Sequence, residues 1–104
     1  MNPTVRFEDE ADAEYRRAGR WYEDRRAHLG IEFLDAVDAA IDPIVAMPRA
    51  GVLVPGIPSD LPVRSRGVTR FPYHVMYIET ETFIRILAIA HDRRMPGYWK
   101  PRLK

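Results

Sequence analysis

The sequence predicts a single α+β domain in which a helical hairpin packs on a mainly antiparallel, four-stranded sheet, in the order β-α-α-β-β-β. Three observations support this prediction. Two amphipathic stretches adjoin in the first half of the chain, and three β-prone segments follow in the second half. The length of 104 residues suffices for one modest core, so we expect residues 1–104 to form one domain.

The first half of the chain predicts a strand and two helices. Thr4–Phe7 is short and β-prone, and residues 8–30 follow with acidic side chains first, as the positive end of a helix dipole favours. We expect Gly30 to end this helix in the left-handed conformation. Residues 31–47 carry a second apolar stripe, in which Pro43 predicts a kink or an early end.

The second half of the chain predicts a loop and three strands. Residues 48–62 are rich in proline and glycine, which favours a loop. Strands are expected at Val63–Arg70, Tyr73–Glu79 and Phe83–Ala90, the last two as an antiparallel hairpin. The last strand is expected to be central and buried. Strict alternation predicts one face made of Ile84, Ile86, Ala88 and Ala90, opposite Leu87 and Ile89.

Charge is distributed unevenly along the chain. Residues 1–62 contain 7 Arg and Lys against 12 Asp and Glu, a balance of −5. Residues 63–104 contain 9 against 3, a balance of +6, so the net charge of +1 conceals the asymmetry. The charges either solvate a small domain or form a basic face that meets nucleic acid or an acidic protein, and we favour the second interpretation.

The composition argues against several classes of protein. The chain has no cysteine, so disulfide frameworks and thiolate metal sites are impossible. His28, His74 and His91 lack the paired spacing of zinc ligands, and no metal or cofactor is expected. No segment approaches the roughly 20 apolar residues of a membrane span. The N-terminal stretch lacks the apolar core of a signal peptide, so we expect a cytoplasmic location and no membrane partner.

The order of elements and three segments resemble the toxins of the RelE/ParE superfamily, which are encoded beside an antitoxin in bacterial type II toxin–antitoxin pairs. The segments are residues 13–25 (AEYRRAGRWYEDR), 70–77 (RFPYHVMY) and 84–99 (IRILAIAHDRRMPGYW). The resemblance covers nearly the whole chain. It implies a toxin that an acidic antitoxin silences within a heteromer, and operator DNA bound only through that complex.

The superfamily divides by target, and the resemblance leaves three functions open. RelE-like members cut mRNA in the ribosomal A site, whereas ParE-like members inhibit DNA gyrase without nuclease chemistry. A third possibility is an inactive member that binds only its antitoxin. Metal-independent RNA cleavage needs a base that deprotonates the 2′-hydroxyl, an acid for the leaving oxygen, and cations around the phosphorane.

Residues of the RelE-like nucleases carry over onto this chain in part. Their strand motif has an arginine where Tyr73-His74-Val75-Met76-Tyr77 has His74, and their arginine after the last strand is matched by Arg93. Their C-terminal tyrosine falls at Trp99, beside Tyr98. We therefore predict His74, Arg93 and Tyr98 as catalytic candidates. The candidates for target binding are Arg64, Arg66, His91, Arg94, Trp99 and Lys100, and we expect Arg64 and Arg66 to point towards the end of the last strand.

Overall fold

The computed structural model describes residues 4–58 and 60–103, which form a five-stranded sheet with two helices on one face. The strands are Thr4–Phe7 (β1), Val52–Leu53 (β2), Arg64–Gly67 (β3), Tyr73–Glu79 (β4) and Phe83–His91 (β5). The helices are Asp9–Arg25 (α1) and Leu29–Ala46 (α2), with short 3-10 helices at Pro48–Ala50 and Lys100–Leu103. The strand order is β1-β5-β4-β3-β2, and only β1 and β5 are parallel. The predicted α+β class is confirmed.

The sheet has one strand more than the sequence predicted. Val52 and Leu53, inside the predicted loop, pair antiparallel with Ser65 and Arg64 of β3. Val52 is β-branched and favours extended backbone, and β3 would otherwise present an unpaired edge. The proline-rich composition of the loop concealed this two-residue strand.

The helical hairpin is present, but Gly30 does not end its first helix. The helix α1 stops at Arg25, the left-handed residue is His28 with φ of 72°, and Gly30 is the second residue of α2. A β-carbon at position 30 would lie 2.5 Å from the carbonyl oxygen of Gly19. Glycine is therefore required there because the two helices approach each other closely.

The expected early end of the second helix at Pro43 is wrong. The helix continues to Ala46, and the N–H of Met47 donates a 2.9 Å hydrogen bond to the carbonyl oxygen of Pro43. Ile41 and Ile44, on either side of the proline, are both buried in the core. We infer that their burial compensates for the single backbone hydrogen bond that Pro43 removes.

A β-bulge interrupts the alternation of β5. Met76 lies opposite Ala88, whereas the next residue, Tyr77, lies opposite Ile86, so Leu87 is the extra residue. The predicted division of the last strand into two faces is therefore wrong. The helix-side core contains Ile84, Ile86 and Ile89, and the opposite face carries Leu87, Ala88 and Ala90.

The sheet separates two apolar clusters. The larger cluster lies between the helices and the sheet and includes Phe33, Val75 and Tyr77. The smaller cluster covers the opposite face and includes Met76 and Trp99. Within the described residues, neither helix combines the length and apolar character that crossing a bilayer requires.

Candidate functional site

The predicted functional segment begins where β5 ends and forms an exposed turn. Arg93 and Arg94 are exposed there, and Met95 is 77% exposed. The N–H of Arg93 donates to Nδ1 of His91 at 3.0 Å, and the N–H of Arg94 donates to the His91 carbonyl oxygen at 3.0 Å. The Arg93 guanidinium takes part in neither bond and pairs with no other residue in 4–58 or 60–103. Its charge is therefore available to an acidic partner.

His74 forms a second feature, on the opposite face of the sheet from the helices. Its Nδ1 lies 2.7 Å from Oδ1 of Asp92, and the two side chains are 46% and 45% exposed. A carboxylate at Nδ1 orients the ring and leaves Nε2 available for proton transfer. Nε2 lies beside Gly67 of β3, where a β-carbon would be 3.5 Å away, so the neighbouring strand places no side chain at that position.

Two shallow hollows adjoin His74. One, of about 320 Å³, is bounded by residues 95–99 and also lined by Arg94. The other, of about 300 Å³, is bounded by residues 50–52 and also lined by Arg66. This arrangement could act on a phosphodiester, because the imidazole of His74 can serve as a base and the two arginines can stabilise negative charge on the phosphate. Among the described residues, no three His, Cys, Asp or Glu side chains gather closely enough to hold a metal ion.

Tyr98 lies near this site, but its hydroxyl is engaged elsewhere. The hydroxyl donates a 2.6 Å hydrogen bond to Oε2 of Glu14, and burial together with that bond raises the pKa of the phenol. The Arg94 guanidinium lies 3.9 Å from the ring centroid. A general acid has to release its proton to the substrate, and here the phenolic O–H already donates to the Glu14 carboxylate and its raised pKa keeps the proton on the phenol. The geometry therefore does not support Tyr98 as the acid.

Trp99 is not a binding surface, contrary to the prediction. The side chain is only 2% exposed and packs beside Val63, Met76 and Leu87 in the cluster behind the sheet. The chain turns back after Gly97, which has a φ of 78°, and this return places the indole in the core. Lys100 is exposed at the start of the C-terminal 3-10 helix and remains available for a partner.

Arg64 and Arg66 of β3 do not leave the sheet on the same face as His74. Arg64 lies opposite Tyr77 and Arg66 lies opposite Val75, and both partners belong to the helix-side core. Directly opposed residues of an antiparallel pair share a face, so both arginines leave β3 on the helix side. Nη1 of Arg64 donates to the carbonyl oxygen of Gly51 at 2.9 Å, and that arginine thus supports a loop. Arg66 alone reaches a hollow beside His74, at the sheet edge.

The sequence analysis did not identify three residues that contact the candidate side chains or their neighbours: Glu14, Asp92 and Arg102. Glu14 interrupts the apolar stripe of α1 between Ala11 and Ala18, and a carboxylate at that place signals a buried ion pair. Asp92 follows β5 directly, but its pairing with a residue of β4 depends on the strand register and on the turn.

Comparison with known proteins agrees with this architecture. The family model for the ParE toxin of the type II toxin-antitoxin system, parDE, matches residues 5–96. A solved structure titled "Chromosomal ParDE TA system from P. aeruginosa" is similar with a TM-score of 0.71 at 16% identity, covering 86% of this chain and 95% of that chain. No curated protein matches the chain. At this identity the structural likeness shows the fold, and the family match shows that this chain belongs to the ParE toxin family of type II toxin–antitoxin systems.

Proposed function

We propose that this protein is a growth-inhibiting toxin, neutralised by a cognate antitoxin, that acts by binding DNA gyrase and not by cutting RNA. The observation that carries the choice of target is the hydrogen bond from Tyr98 to Glu14, because it withdraws the predicted acid from an RNA-cleaving site. Trp99, the next residue, does not replace that acid, because an indole has no ionisable proton to give and the side chain is buried. Gyrase inhibition, as the resemblance to ParE-like toxins implies, requires a surface and no proton transfer.

The surface that we assign to gyrase is the turn after β5. Arg93 offers a guanidinium that no described residue engages, and Met95 beside it is 77% exposed. An exposed cation next to a flexible apolar side chain is a combination that protein interfaces use, with Arg and Met both enriched there. The proposed target and antitoxin both place the protein in the cytoplasm, and operator DNA would be bound only through the toxin–antitoxin complex.

RNA cleavage on the ribosome is a second candidate, and the His74–Asp92 contact of 2.7 Å favours it. In this reaction Nε2 of His74 accepts the proton of the attacking 2′-hydroxyl, and the ribose oxygen forms a bond to the phosphorus. Arg94 and Arg66, which line the two hollows beside His74, stabilise the negative charge of the phosphorane, and Arg93 on the same turn as Arg94 adds positive charge. The 5′-oxygen leaves with a proton that water supplies, because Tyr98 does not present one.

Pulse-labelling of DNA and protein synthesis just after induction of this chain separates the candidates. We expect DNA synthesis to stop first, and the purified protein to inhibit supercoiling by gyrase. Earlier arrest of protein synthesis would reject gyrase in favour of the ribosome. If neither process changes, the chain is an inactive member that binds only its antitoxin.

Two substitutions connect the outcome to residues. Under the gyrase proposal Arg93→Ala weakens inhibition, whereas His74→Ala leaves it unchanged. Under the ribonuclease alternative His74→Ala abolishes cleavage, because it removes the base, and Arg93→Ala reduces it. Arg20→Ala is the matched control, since Arg20 is an exposed arginine of α1 that has no partner among the described residues and lies outside the turn.

A further inference from the structure

A separate groove lies on the helix side of the sheet, between α1 and the end of β5. Its walls combine Trp21 and Tyr22 of α1 with Tyr73 and Ile89 of the sheet. The volume is about 360 Å³, at the small end of the range of small-molecule sites. The groove therefore has the size of a site for one small molecule.

Trp21 offers an open aromatic surface at this groove. The residue is 50% exposed, although Arg25 lies 3.4 Å from the centroid of its ring. Arg25 follows Trp21 by one helical turn and Arg17 precedes it by one turn, so the two arginines flank the indole from opposite sides. Tyr22 approaches the indole at 85°, in an edge contact, and does not stack on it. A flat ring can therefore stack on the side of the indole that faces away from Arg25.

The groove also carries positive charge that no described carboxylate neutralises. Arg17 is exposed and has no ion-pair partner in the described part of the chain. Arg94, on the opposite wall, pairs with no carboxylate there either, and its guanidinium lies 3.9 Å from the ring centroid of Tyr98. Glu14, the acidic residue of the groove, is already bound by Arg102 at 2.9 Å. A ligand that complements these charges is an anion.

Three further side chains of the groove have unused hydrogen-bonding capacity. Nδ1 of His91 accepts the N–H of Arg93 at 3.0 Å, so the neutral ring carries its proton on Nε2 and can donate it. The hydroxyls of Tyr22 and Tyr73 have no hydrogen-bond partner among residues 4–58 and 60–103. A hydroxyl both donates and accepts, which suits the mixed donors and acceptors on the edge of a nucleobase.

We propose that this groove binds a free nucleoside monophosphate. The base stacks on the side of the Trp21 indole that faces away from Arg25, and the phosphate meets Arg17 and Arg94. Inorganic phosphate alone would leave the indole unused, and an apolar ligand would leave both arginines unused. A nucleotide joins the two chemistries that the groove displays, a flat heteroaromatic ring and an anion.

The surroundings of the groove favour one nucleotide over a strand. The groove is small, and a strand needs positive charge along its whole path. Towards the start of α1, beyond Arg17, the helix instead presents Asp9, Glu10 and Asp12. These carboxylates would repel the next phosphate in that direction.

The inference is independent of the cellular target. The groove is on the helix side of the sheet, whereas the hollows beside His74 include the opposite face. Arg17 and Trp21 line neither hollow, and Arg93 does not line the groove. Loss of nucleotide binding and loss of toxicity are therefore separable results.

The two tryptophans of the chain report on binding in the purified full chain labelled with ¹⁵N. Trp21 lines the groove, whereas Trp99 is 2% exposed behind the sheet. The ligands are the 5′-monophosphates of adenosine, guanosine, cytidine and uridine. We expect at least one of them to move the indole N–H signal of Trp21 and to leave that of Trp99 in place.

Isothermal titration calorimetry then compares the best monophosphate with its two halves. The nucleoside lacks the anion, and ribose 5-phosphate lacks the base. Each half should bind about tenfold or more weakly, because it forgoes either the charge-assisted hydrogen bonds or the stacking. A single-stranded octamer of the same nucleotide is the probe for a nucleic-acid strand, and it should bind no more tightly than the monophosphate.

Alanine substitutions locate the site. Arg17→Ala and Trp21→Ala should each weaken binding of the monophosphate about tenfold, through loss of a phosphate contact and of the stacking surface. Arg20→Ala is the matched control, an exposed arginine of the same helix outside the groove, and should change the affinity by less than about twofold at physiological salt. Circular dichroism of each variant verifies the fold.

Several results would overturn the proposal. One is an unchanged Trp21 signal with all four monophosphates at millimolar concentration, and another is an equal movement of both indole signals. Equal affinity for the monophosphate and for either of its halves would also reject it. A loss with Arg20→Ala as large as that with Arg17→Ala would indicate general charge attraction. An octamer that binds more tightly than the monophosphate, and loses that affinity in Trp21→Ala, would assign the groove to a strand in place of the free nucleotide.

Discussion

The hydroxyl of Tyr98 and the carboxylate of Glu14 form a 2.6 Å hydrogen bond that joins the C-terminal segment to α1. The same carboxylate accepts bonds of 2.9 and 3.1 Å from the two Nη atoms of Arg102, and one of 3.1 Å from the N–H of Ile89. The side chains of Arg102 and Glu14 are only 14% and 10% exposed. One nearly buried carboxylate therefore connects α1, the last strand and the C-terminal 3-10 helix.

Replacing Glu14 by alanine should destabilise the fold strongly. The substitution leaves the nearly buried guanidinium of Arg102 without its counter-charge, and a broken buried ion pair typically lowers the free energy of unfolding by about 3–5 kcal/mol. Urea denaturation followed by circular dichroism measures this change.

Asp12→Ala is the matched control for Glu14. Asp12 lies on the same helix and pairs with Arg16 at 2.9 Å, but both side chains are largely exposed. Such pairs contribute roughly 0.3–0.5 kcal/mol. Similar losses for the two variants would contradict the anchoring role of Glu14.

The raised pKa values of the tyrosines predict that the stability of the fold decreases at alkaline pH. Burial raises the pKa of each of the five tyrosines and is the largest cause in every case. The pKa of Tyr15 is raised to about 12 by burial and by the neighbouring Asp38 carboxylate. The folded state thus holds these protons more tightly than the unfolded state, in which the pKa is near 10. The stabilisation is complete below pH 10 and is lost as the pH rises through the folded values.

Ultraviolet absorbance of tyrosinate measures these ionisations directly. We expect the native protein to titrate above pH 10, and the protein in concentrated urea to titrate near pH 10. Chemical denaturation at a series of pH values should show the midpoint falling above pH 10. A native titration that coincides with the unfolded one would disprove the burial of these phenols.

The sequence predicted the helices and strands because apolar periodicity reports which face of an element is buried. It did not predict the bulge in β5, since Leu87, Ala88 and Ile89 are all apolar and an extra residue among them leaves no mark in the pattern. The bulge changes the face of the sheet on which His91 lies. His91 ends on the helix side, beside Tyr73, while His74 on the neighbouring strand faces the other way.

The site was predictable only where a side chain needs no distant partner. Arg93 is exposed, and its place directly after the last strand can be read from the sequence without a distant partner. The bond between Tyr98 and Glu14 joins residues 84 positions apart, so no local pattern indicates it. The burial of Trp99 likewise depends on the chain turning back after Gly97, which returns the indole to the sheet.

Gly30→Ala should destabilise the helical hairpin although alanine favours helices. The new β-carbon would lie 2.5 Å from the carbonyl oxygen of Gly19, a backbone atom that moves only if the two helices separate. We expect a loss of about 1–3 kcal/mol, which outweighs the gain of about 1 kcal/mol in helix propensity.

Gly19→Ala tests the same helix pair from the other side. Its β-carbon would lie 3.0 Å from Cδ2 of Leu34, a side-chain atom that can adjust. This variant should lose less stability than Gly30→Ala, or gain some. Thermal unfolding of both variants gives the comparison, and the reverse order would contradict the close approach of the helices at Gly30.

The two tryptophans provide the last prediction, because they differ in burial within one chain. Trp99 is 2% exposed in the cluster behind the sheet, whereas Trp21 is 50% exposed on α1. Removing a buried tryptophan side chain costs about 3–5 kcal/mol, through lost burial and the cavity that remains. Trp99→Ala should therefore lower the free energy of unfolding by that amount, and Trp21→Ala by far less. Urea denaturation measures both, and comparable losses would show that the C-terminal segment does not cover the sheet.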